Sequence, residues 1–157
     1  SRSYQLDADL EPLMDNAHGV LIAHGDATSG YSLYLDEQRH LVHDLNIGGA
    51  HQIVRSPEPV PVGTTVLGFH MQRDDKGRGL GRLYVDGACV ESMRTDNTFT
   101  LMVSWSGLDI GLDRGSPVSH YAAPFTFNGT LRKVTVELVD DQDLDAEGVV
   151  RAELMRE

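Results

Sequence analysis

The sequence predicts an all-β protein, a two-sheet antiparallel β-sandwich of jelly-roll type. Its clearest sign is the run Arg82-Leu83-Tyr84-Val85-Asp86-Gly87-Ala88-Cys89-Val90, where a β-rich stretch breaks at Asp-Gly and resumes at once. Asp-Gly tolerates the positive φ angles that both central positions of a type I′ turn demand, and that turn follows the twist of the strands it joins. Short alternating apolar and polar runs recur between Gly, Pro and Asp signals along the chain. About ten or eleven such strands, with no convincing helix between them, suit two stacked sheets sharing one core.

Tyr4, Leu6, Ala8 and Leu10 alternate with Gln5, Asp7 and Asp9, the period-2 pattern of an opening strand with one face buried. Gly19 to His24 is a short apolar run, and Tyr31, Leu33 and Leu35 alternate with Ser32, Tyr34 and Asp36 beyond the turn-like Gly25 to Gly30 segment. These two runs are expected to pair. His40 to Ile47 and His51 to Arg55, with Gly48-Gly49 between them, read as a second hairpin. Pro57, Pro59 and Pro61 lack amide donors, so their stretch cannot lie in a central strand and reads as a crossover loop.

Thr64 to Gln72 resumes the alternation with Leu67, Phe69 and Met71 on one face, and the polar stretch from Arg73 to Gly81 reads as a loop leading into the Asp86-Gly87 hairpin. Phe99 to Ser104 and Leu108 to Leu112 are two further strand candidates, followed by an irregular stretch from Asp113 to Phe125. Thr130 to Val139 closes the sheets, with Val134, Val136 and Leu138 facing one way and Lys133, Thr135 and Glu137 the other. The expected division is a β-sandwich domain over residues 1–139, then an acidic linker and short helical tail over 140–157. In that tail, Ala146 to Arg156 is expected to form a short C-terminal helix carrying Val150 and Leu154 at i, i+4, weakened by Gly148. No repeat of constant period appears, so propellers and solenoids are excluded.

At 157 residues the chain fits one domain, and a domain of this size buries roughly 70% of the surface its unfolded chain exposes. Forty per cent apolar and 24% charged residues are ordinary for a soluble globular protein, and no apolar run approaches the ~20 residues that span a bilayer. Thirteen Lys and Arg against 24 Asp and Glu leave a net charge of −11, which repels phosphate backbones and anionic lipid surfaces. Nucleic acid and membrane are therefore not expected partners. Cys89 stands alone and rules out an intrachain disulfide without deciding the compartment. The chain begins with Ser1 and reads as a domain cut from something longer.

Gly77-x-Gly79-x-Gly81 precedes a strand rather than a helix, so the three glycines read as a flexible hairpin loop and not as a phosphate cradle. The seven histidines show no zinc-ligand spacing, and His40 and His43 point to opposite faces of one strand. Ser119 beside His120 gains no nucleophilic geometry from adjacency, and no Gly-x-Ser-x-Gly elbow occurs. Cys89 reads as a small apolar packing residue. The Glu-x-Asp-x-x-Glu strand of sandwich glycosidases is missing, since Glu137 is followed by Leu138, Val139 and Asp140. Asp109 and Asp113, flanking Ile110-Gly111-Leu112, are the best candidates for calcium, the alternative being solvated turn acids. Asn128-Gly129-Thr130 fits a glycosylation sequon but reads as a turn. Trp105, Tyr121 and Phe125 stand open between a stacking platform and a core role.

Several stretches together carry a family resemblance: Gly19-Val20-Leu21-Ile22-Ala23-His24-Gly25, Gly30-Tyr31-Ser32-Leu33-Tyr34-Leu35, Leu83-Tyr84-Val85-Asp86-Gly87, the run from Asp109 to Ser119, and Phe127-Asn128-Gly129-Thr130-Leu131 through Val136. In this order, from about Tyr4 to Leu138, they resemble the C-terminal region of long bacterial arylsulfatases. The Asp-x-Gly-x-Asp-x-Gly-x-Pro-Val-Ser stretch is the most specific part. Leu-Tyr-Val-Asp-Gly is shared with other concanavalin A-like and laminin-G-like sandwiches, and Ala146 to Arg156 resembles the short Ala/Arg-rich helix that ends such sulfatases. The resemblance implies sulfate-ester hydrolysis by a formylglycine made from Cys/Ser-x-Pro-x-Arg beside a divalent cation. This chain lacks that motif: Cys89 is followed by Val90 and Glu91, and Ser56-Pro57-Glu58 has its proline one place too early.

The family's catalytic residues therefore do not transfer. What the resemblance implies is a non-catalytic accessory domain that packs on the sulfatase catalytic domain, with edge loops bordering the substrate cleft, and without sulfatase activity of its own. His24 and Asp26 to Ser29 depart from the glycine-rich, more basic loop expected there. The rival reading is a free-standing carbohydrate-binding module, with Trp105, Arg114, His120 and Tyr121 as the loop residues that would meet a saccharide or a partner. A purely structural interaction domain is a third reading, separable from the first only by its partner.

Overall fold

The computed structural model describes residues 2–74, 76–98 and 106–141. The strand expected at Phe99 to Ser104, the Trp105 ring and the helix expected at Ala146 to Arg156 lie outside the described residues. Ten strands form the described fold: β1 (Tyr4–Leu10), β2 (Gly19–Gly25), β3 (Ser29–Leu35), β4 (Leu41–Ile47), β5 (Ala50–Arg55), β6 (Val66–Arg73), β7 (Gly79–Val85), β8 (Ala88–Thr95), β9 (Leu108–Ile110) and β10 (Leu131–Leu138). They pair antiparallel into two five-stranded sheets, β10-β1-β6-β7-β8 (sheet A) and β5-β4-β3-β2-β9 (sheet B). No helix occurs among the described residues, and the architecture is the expected all-β jelly-roll sandwich.

The inner faces follow from strand alternation. Leu6, Ala8 and Leu10 of β1 meet Leu67, Phe69 and Met71 of β6 and Leu83 of β7 in sheet A. Leu33, Leu35, Leu41 and Leu45 close the layer from sheet B. At about 2 kcal/mol per buried Leu or Ile side chain, this shared layer dominates stability. His43 occupies an inner position among them and stacks on Phe69 with centroids 3.4 Å apart and planes 6° from parallel. A bulge in β2 between Val20 and Ile22 sends both Leu21 and Ile22 into the core, which is why the Gly19 to His24 run reads as continuous rather than alternating.

The expected hairpins β2-β3, β4-β5 and β7-β8 all form. Asp86 and Gly87 turn the last of these at φ 46° and 81°, the left-handed pair that a type I′ turn needs. The proline stretch connects β5 of sheet B to β6 of sheet A as a crossover. Thr130 to Val139 becomes β10 at the edge of sheet A, where Val136 and Leu138 remain 42% and 56% exposed although they pair with inward-facing Leu6 and with Tyr4.

Two expectations are corrected. Gly79 and Gly81 are not in a flexible loop; they open β7, and a Cβ on either would meet Met71 Sδ or Phe69 Cζ at 2.6 Å. The large side chains of β6 occupy the space that the glycines leave empty. Cys89 is not a packing residue either. The β7-β8 register shifts between Leu83 and Tyr84, pairing Tyr84 with Cys89, which is exposed.

Candidate functional site

The two sheets present opposite outer faces, and the chain treats them differently. On sheet B, the segment 111–127 forms a strap lying across the strands. Its ends are sewn down by backbone bonds from Gly111 N to Leu21 O (3.0 Å), Val20 N to Phe125 O (3.0 Å) and Phe127 N to Gly111 O (2.9 Å). Beneath it Val20, Ala23, Tyr34, Val42 and Val118 form a second apolar cluster, joined by Tyr121 and Phe125. Tyr34 meets Tyr121 edge to face at 4.9 Å and Phe125 at 6.2 Å. Tyr121 and Phe125 are thus engaged in packing.

The polar groups under the strap are paired in a network. Asp113 is buried, and its Oδ2 accepts from Val118 N (3.1 Å) and the Tyr121 hydroxyl (2.6 Å), which is also hydrogen-bonded to Ser32 Oγ (2.9 Å). Burial, reinforced by the Asp113 carboxylate, pushes the Tyr121 phenol up, so it remains a proton donor. Burial likewise raises the Tyr34 phenol, and its hydroxyl lies 3.2 Å from Ser119 Oγ. Ser119 donates to Asp44 Oδ2 (2.6 Å), which also accepts from His51 Nδ1 (2.7 Å). The exposed ring of His120 lies against His51 at 4.2 Å.

This trio is not a hydrolytic one. A nucleophile needs the imidazole between hydroxyl and carboxylate, whereas here the buried Asp44 carboxylate stands between Ser119 and His51. Asn46 completes the anchoring by donating to Val118 O (3.2 Å) and Ala27 O (3.0 Å). Asp109 and Asp113 are occupied separately. Arg114 holds both oxygens of Asp109, with Nε to Oδ1 at 2.8 Å and its amide to Oδ2 at 2.9 Å, and that pairing keeps the Asp109 carboxyl below the usual range. No group of three or more His, Cys, Asp or Glu is placed to hold a metal ion among the described residues.

Among the described residues sheet A carries no strap. Its outer face is built by the alternate residues of each strand: Gln5, Asp7 and Asp9 on β1, His70 and Gln72 on β6, Leu80, Arg82 and Tyr84 on β7, Ser92 and Arg94 on β8. Register sets Gln5, His70, Arg82 and Ser92 in one row across four strands. His70 Nε2 is held 3.1 Å from Asp7 Oδ1, and its ring lies 4.4 Å from that of Tyr84, tilted by 35°. Gly68 leaves room for this, since a Cβ there would stand 2.3 Å from Asp7 Oδ1. Gln5, His70, Gln72, Arg82 and Tyr84 line a cleft of about 330 Å³. A second hollow of about 250 Å³ adjoins it through Gln72 and Arg73 and extends to Arg94.

Sequence reasoning placed candidate site residues on the irregular stretch near Asp109 to Tyr121 and none on this face. The signal for it was present in the polar half of each alternation, where Tyr84 and His70 stand as ring-bearing residues in outward register.

No family model and no curated protein matches the sequence. Solved structures do. The chain is similar to a heptameric SAP-like pentraxin from Limulus polyphemus, with a TM-score of 0.52, 16% identity, and coverage of 88% of this chain and 65% of that one. It is similar to the CBM40 of the Ruminococcus gnavus IT-sialidase bound to α2,3 sialyllactose, with a TM-score of 0.59, 14% identity, and coverage of 96% and 82%. Mouse laminin α1 domains LG4-5 give a TM-score of 0.59, 18% identity, and coverage of 92% and 39%. The chain thus spans slightly less than two thirds of the pentraxin. The fold is that of the concanavalin-like and laminin-G-like β-sandwiches found in lectin and carbohydrate-binding domains.

Proposed function

We propose that this chain is a non-catalytic saccharide-binding sandwich, and that the open outer face of sheet A is its binding surface. The observation that carries this is the cleft across β1, β6 and β7. It sets a tilted pair of rings, His70 and Tyr84, beside two amide side chains, Gln5 and Gln72, on a rigid strand platform. Rings cover the apolar face of a pyranose while amides bond its hydroxyls. A neighbouring fold described as a carbohydrate-binding module with sialyllactose bound supports the same class of ligand. Amide chemical-shift titration with a panel of neutral and acidic disaccharides tests it. Saturable shifts on β6 and β7, lost in Tyr84→Ala, are expected; no shift at millimolar sugar would end the reading.

A second reading concerns the parent molecule and is compatible with the first. The ordered motifs from Tyr4 to Leu138 favour an accessory domain of an arylsulfatase-like sulfate-ester hydrolase, packed against its catalytic domain. The stretch that most favours it, Asp109 to Ser119, is the part of the chain that enters and anchors the strap. Sequencing the native gene upstream of the Ser1 codon tests this. An in-frame Cys/Ser-x-Pro-x-Arg is expected, and a stop codon or signal peptide there would contradict it.

A further inference from the structure

The charge along β7, β8 and the loop that precedes them is at odds with the rest of the chain. Overall the protein carries −11, yet residues 73–94 hold five Lys and Arg against four Asp and Glu. Every other described arginine is tied to a carboxylate or a carbonyl: Arg2 to Asp140, Arg39 to Val60 O, Arg55 to Asp36, Arg73 to Asp141 O, Arg78 to Asp74, Arg114 to Asp109 and Arg132 to Glu11. Arg82 and Arg94 alone among the described arginines make no side-chain hydrogen bond or ion pair. They are also neighbours. Arg82 pairs with Ser92 and Leu80 with Arg94, so the two arginines lie diagonally across β7 and β8 on the same outer face, a separation that long side chains bridge.

Two unrelieved cations side by side repel each other, and an acid-rich chain had ample means to neutralise them. Arg82 is half-buried in the wall of the 330 Å³ cleft, and Arg94 lines the adjoining hollow. Three carboxylates beside the two hollows already have partners: Asp7 is held by His70, Asp74 by Arg78, and Asp141 by Ser3; Asp96 lines the second hollow together with Arg94 without pairing with it. The guanidinium fork matches the planar or tetrahedral oxygens of a carboxylate or sulfate and binds them with two parallel hydrogen bonds.

We infer that Arg82 and Arg94 form an anion subsite, and that the saccharide taken by sheet A carries a negatively charged substituent, a sulfate or a carboxylate. This inference rests on the saccharide reading of the same cleft. The sugar ring lies on Tyr84 and His70, and the charged group points along β7 toward Arg82 and across to Arg94. The overall charge of −11 limits the ligand to a short glycan bearing isolated charges, because a dense polyanion is repelled at long range.

The test uses disaccharides, each presented in neutral, monosulfated and uronic-acid form, titrated calorimetrically into the wild-type chain and into Arg82→Gln, Arg94→Gln and Tyr84→Ala. A charged form is expected to bind at least tenfold tighter than its neutral parent, with that preference falling below threefold in Arg82→Gln and weakening in 0.5 M salt. Whichever of sulfate and uronate binds tighter identifies the substituent. Inorganic sulfate alone is expected to shift the Arg82 side-chain Nε resonance in the wild type. Equal binding of neutral and charged forms, or a preference indifferent to both arginine changes, would overturn the anion subsite and leave the saccharide reading intact. No binding by any form would remove both.

Discussion

The outer faces of the two sheets start from the same alternation and reach opposite ends. On sheet B the outward residues of β3 and β4, Ser32, Tyr34, Val42, Asp44 and Asn46, are all buried, because a strap of irregular chain lies over them and bonds to all four polar ones, leaving Asp44 Oδ1 as the one side-chain atom there without a partner. On sheet A the outward residues remain open, and they include a ring pair, two amides and two unpaired arginines. Polar residues on a strand therefore mean different things according to what covers them. Under a strap they hold chain to chain; in the open they are available to a ligand.

Paired aromatic truncations probe this contrast most strongly. Tyr34→Ala removes the ring at the centre of the second cluster and is expected to cost about 4 kcal/mol of stability in denaturant unfolding. Tyr84→Ala on the other face is expected to cost less than about 1 kcal/mol while abolishing saccharide shifts. A large stability loss at Tyr84 would mean that its role is structural and that the faces do not differ as described.

The interior supplies a control belonging to neither face. Burial holds the His43 imidazole down at about 3, against about 6.5 when unfolded. A depressed folded value means that the unfolded chain takes up the proton first. His43 therefore costs nothing above pH 6.5, and stability falls as pH drops from there toward 3, by about 1.4 kcal/mol per pH unit at most. His43→Phe keeps the stacking on Phe69 and should flatten that part of the urea-midpoint profile. An unchanged profile would show that the acid sensitivity lies elsewhere.

Asp113→Ala should come next in size. It strips the acceptor from Val118 N and the Tyr121 hydroxyl, and the expected cost is about 2 kcal/mol, seen together with faster amide exchange along 111–127. A variant as stable as the wild type would mean the strap is not anchored by this carboxylate. Arg114→Ala should matter least, and less still in high salt, because its guanidinium is exposed and its ion pair is screened by solvent. The same site bears on calcium. An ion at Asp109 would have to displace Arg114, so millimolar calcium should leave the melting temperature in place, and a rise of several degrees would return the pair to a cation role.

Much of the fold was legible in local pattern. Alternation marked β1, β3, β6 and β10, Asp86-Gly87 marked its hairpin, and the prolines marked the passage between sheets. These signals are set by neighbours in sequence. The strap was legible only as irregular chain, because its role depends on Tyr34, Asp44 and Asn46, 72 to 85 residues earlier. Gly79 and Gly81 looked like loop because their meaning lies in Phe69 and Met71 across the strand pair. The candidate residues Arg114, His120 and Tyr121 lie where the chain is irregular. The structure spends Tyr121 on Asp113 and Ser32, Arg114 on Asp109, and leaves His120 against His51, while the cleft lies on regular strands whose outward positions a single-strand pattern does not bring together.

The most direct test is to map a charged disaccharide onto the amide spectrum of the whole chain. Shifts concentrated at Gln5, His70, Gln72, Arg82, Tyr84 and Arg94, with the strap undisturbed, are the predicted result. Shifts confined to 111–127 and the outer face of sheet B would place the binding surface on the covered side and contradict the assignment of roles to the two faces.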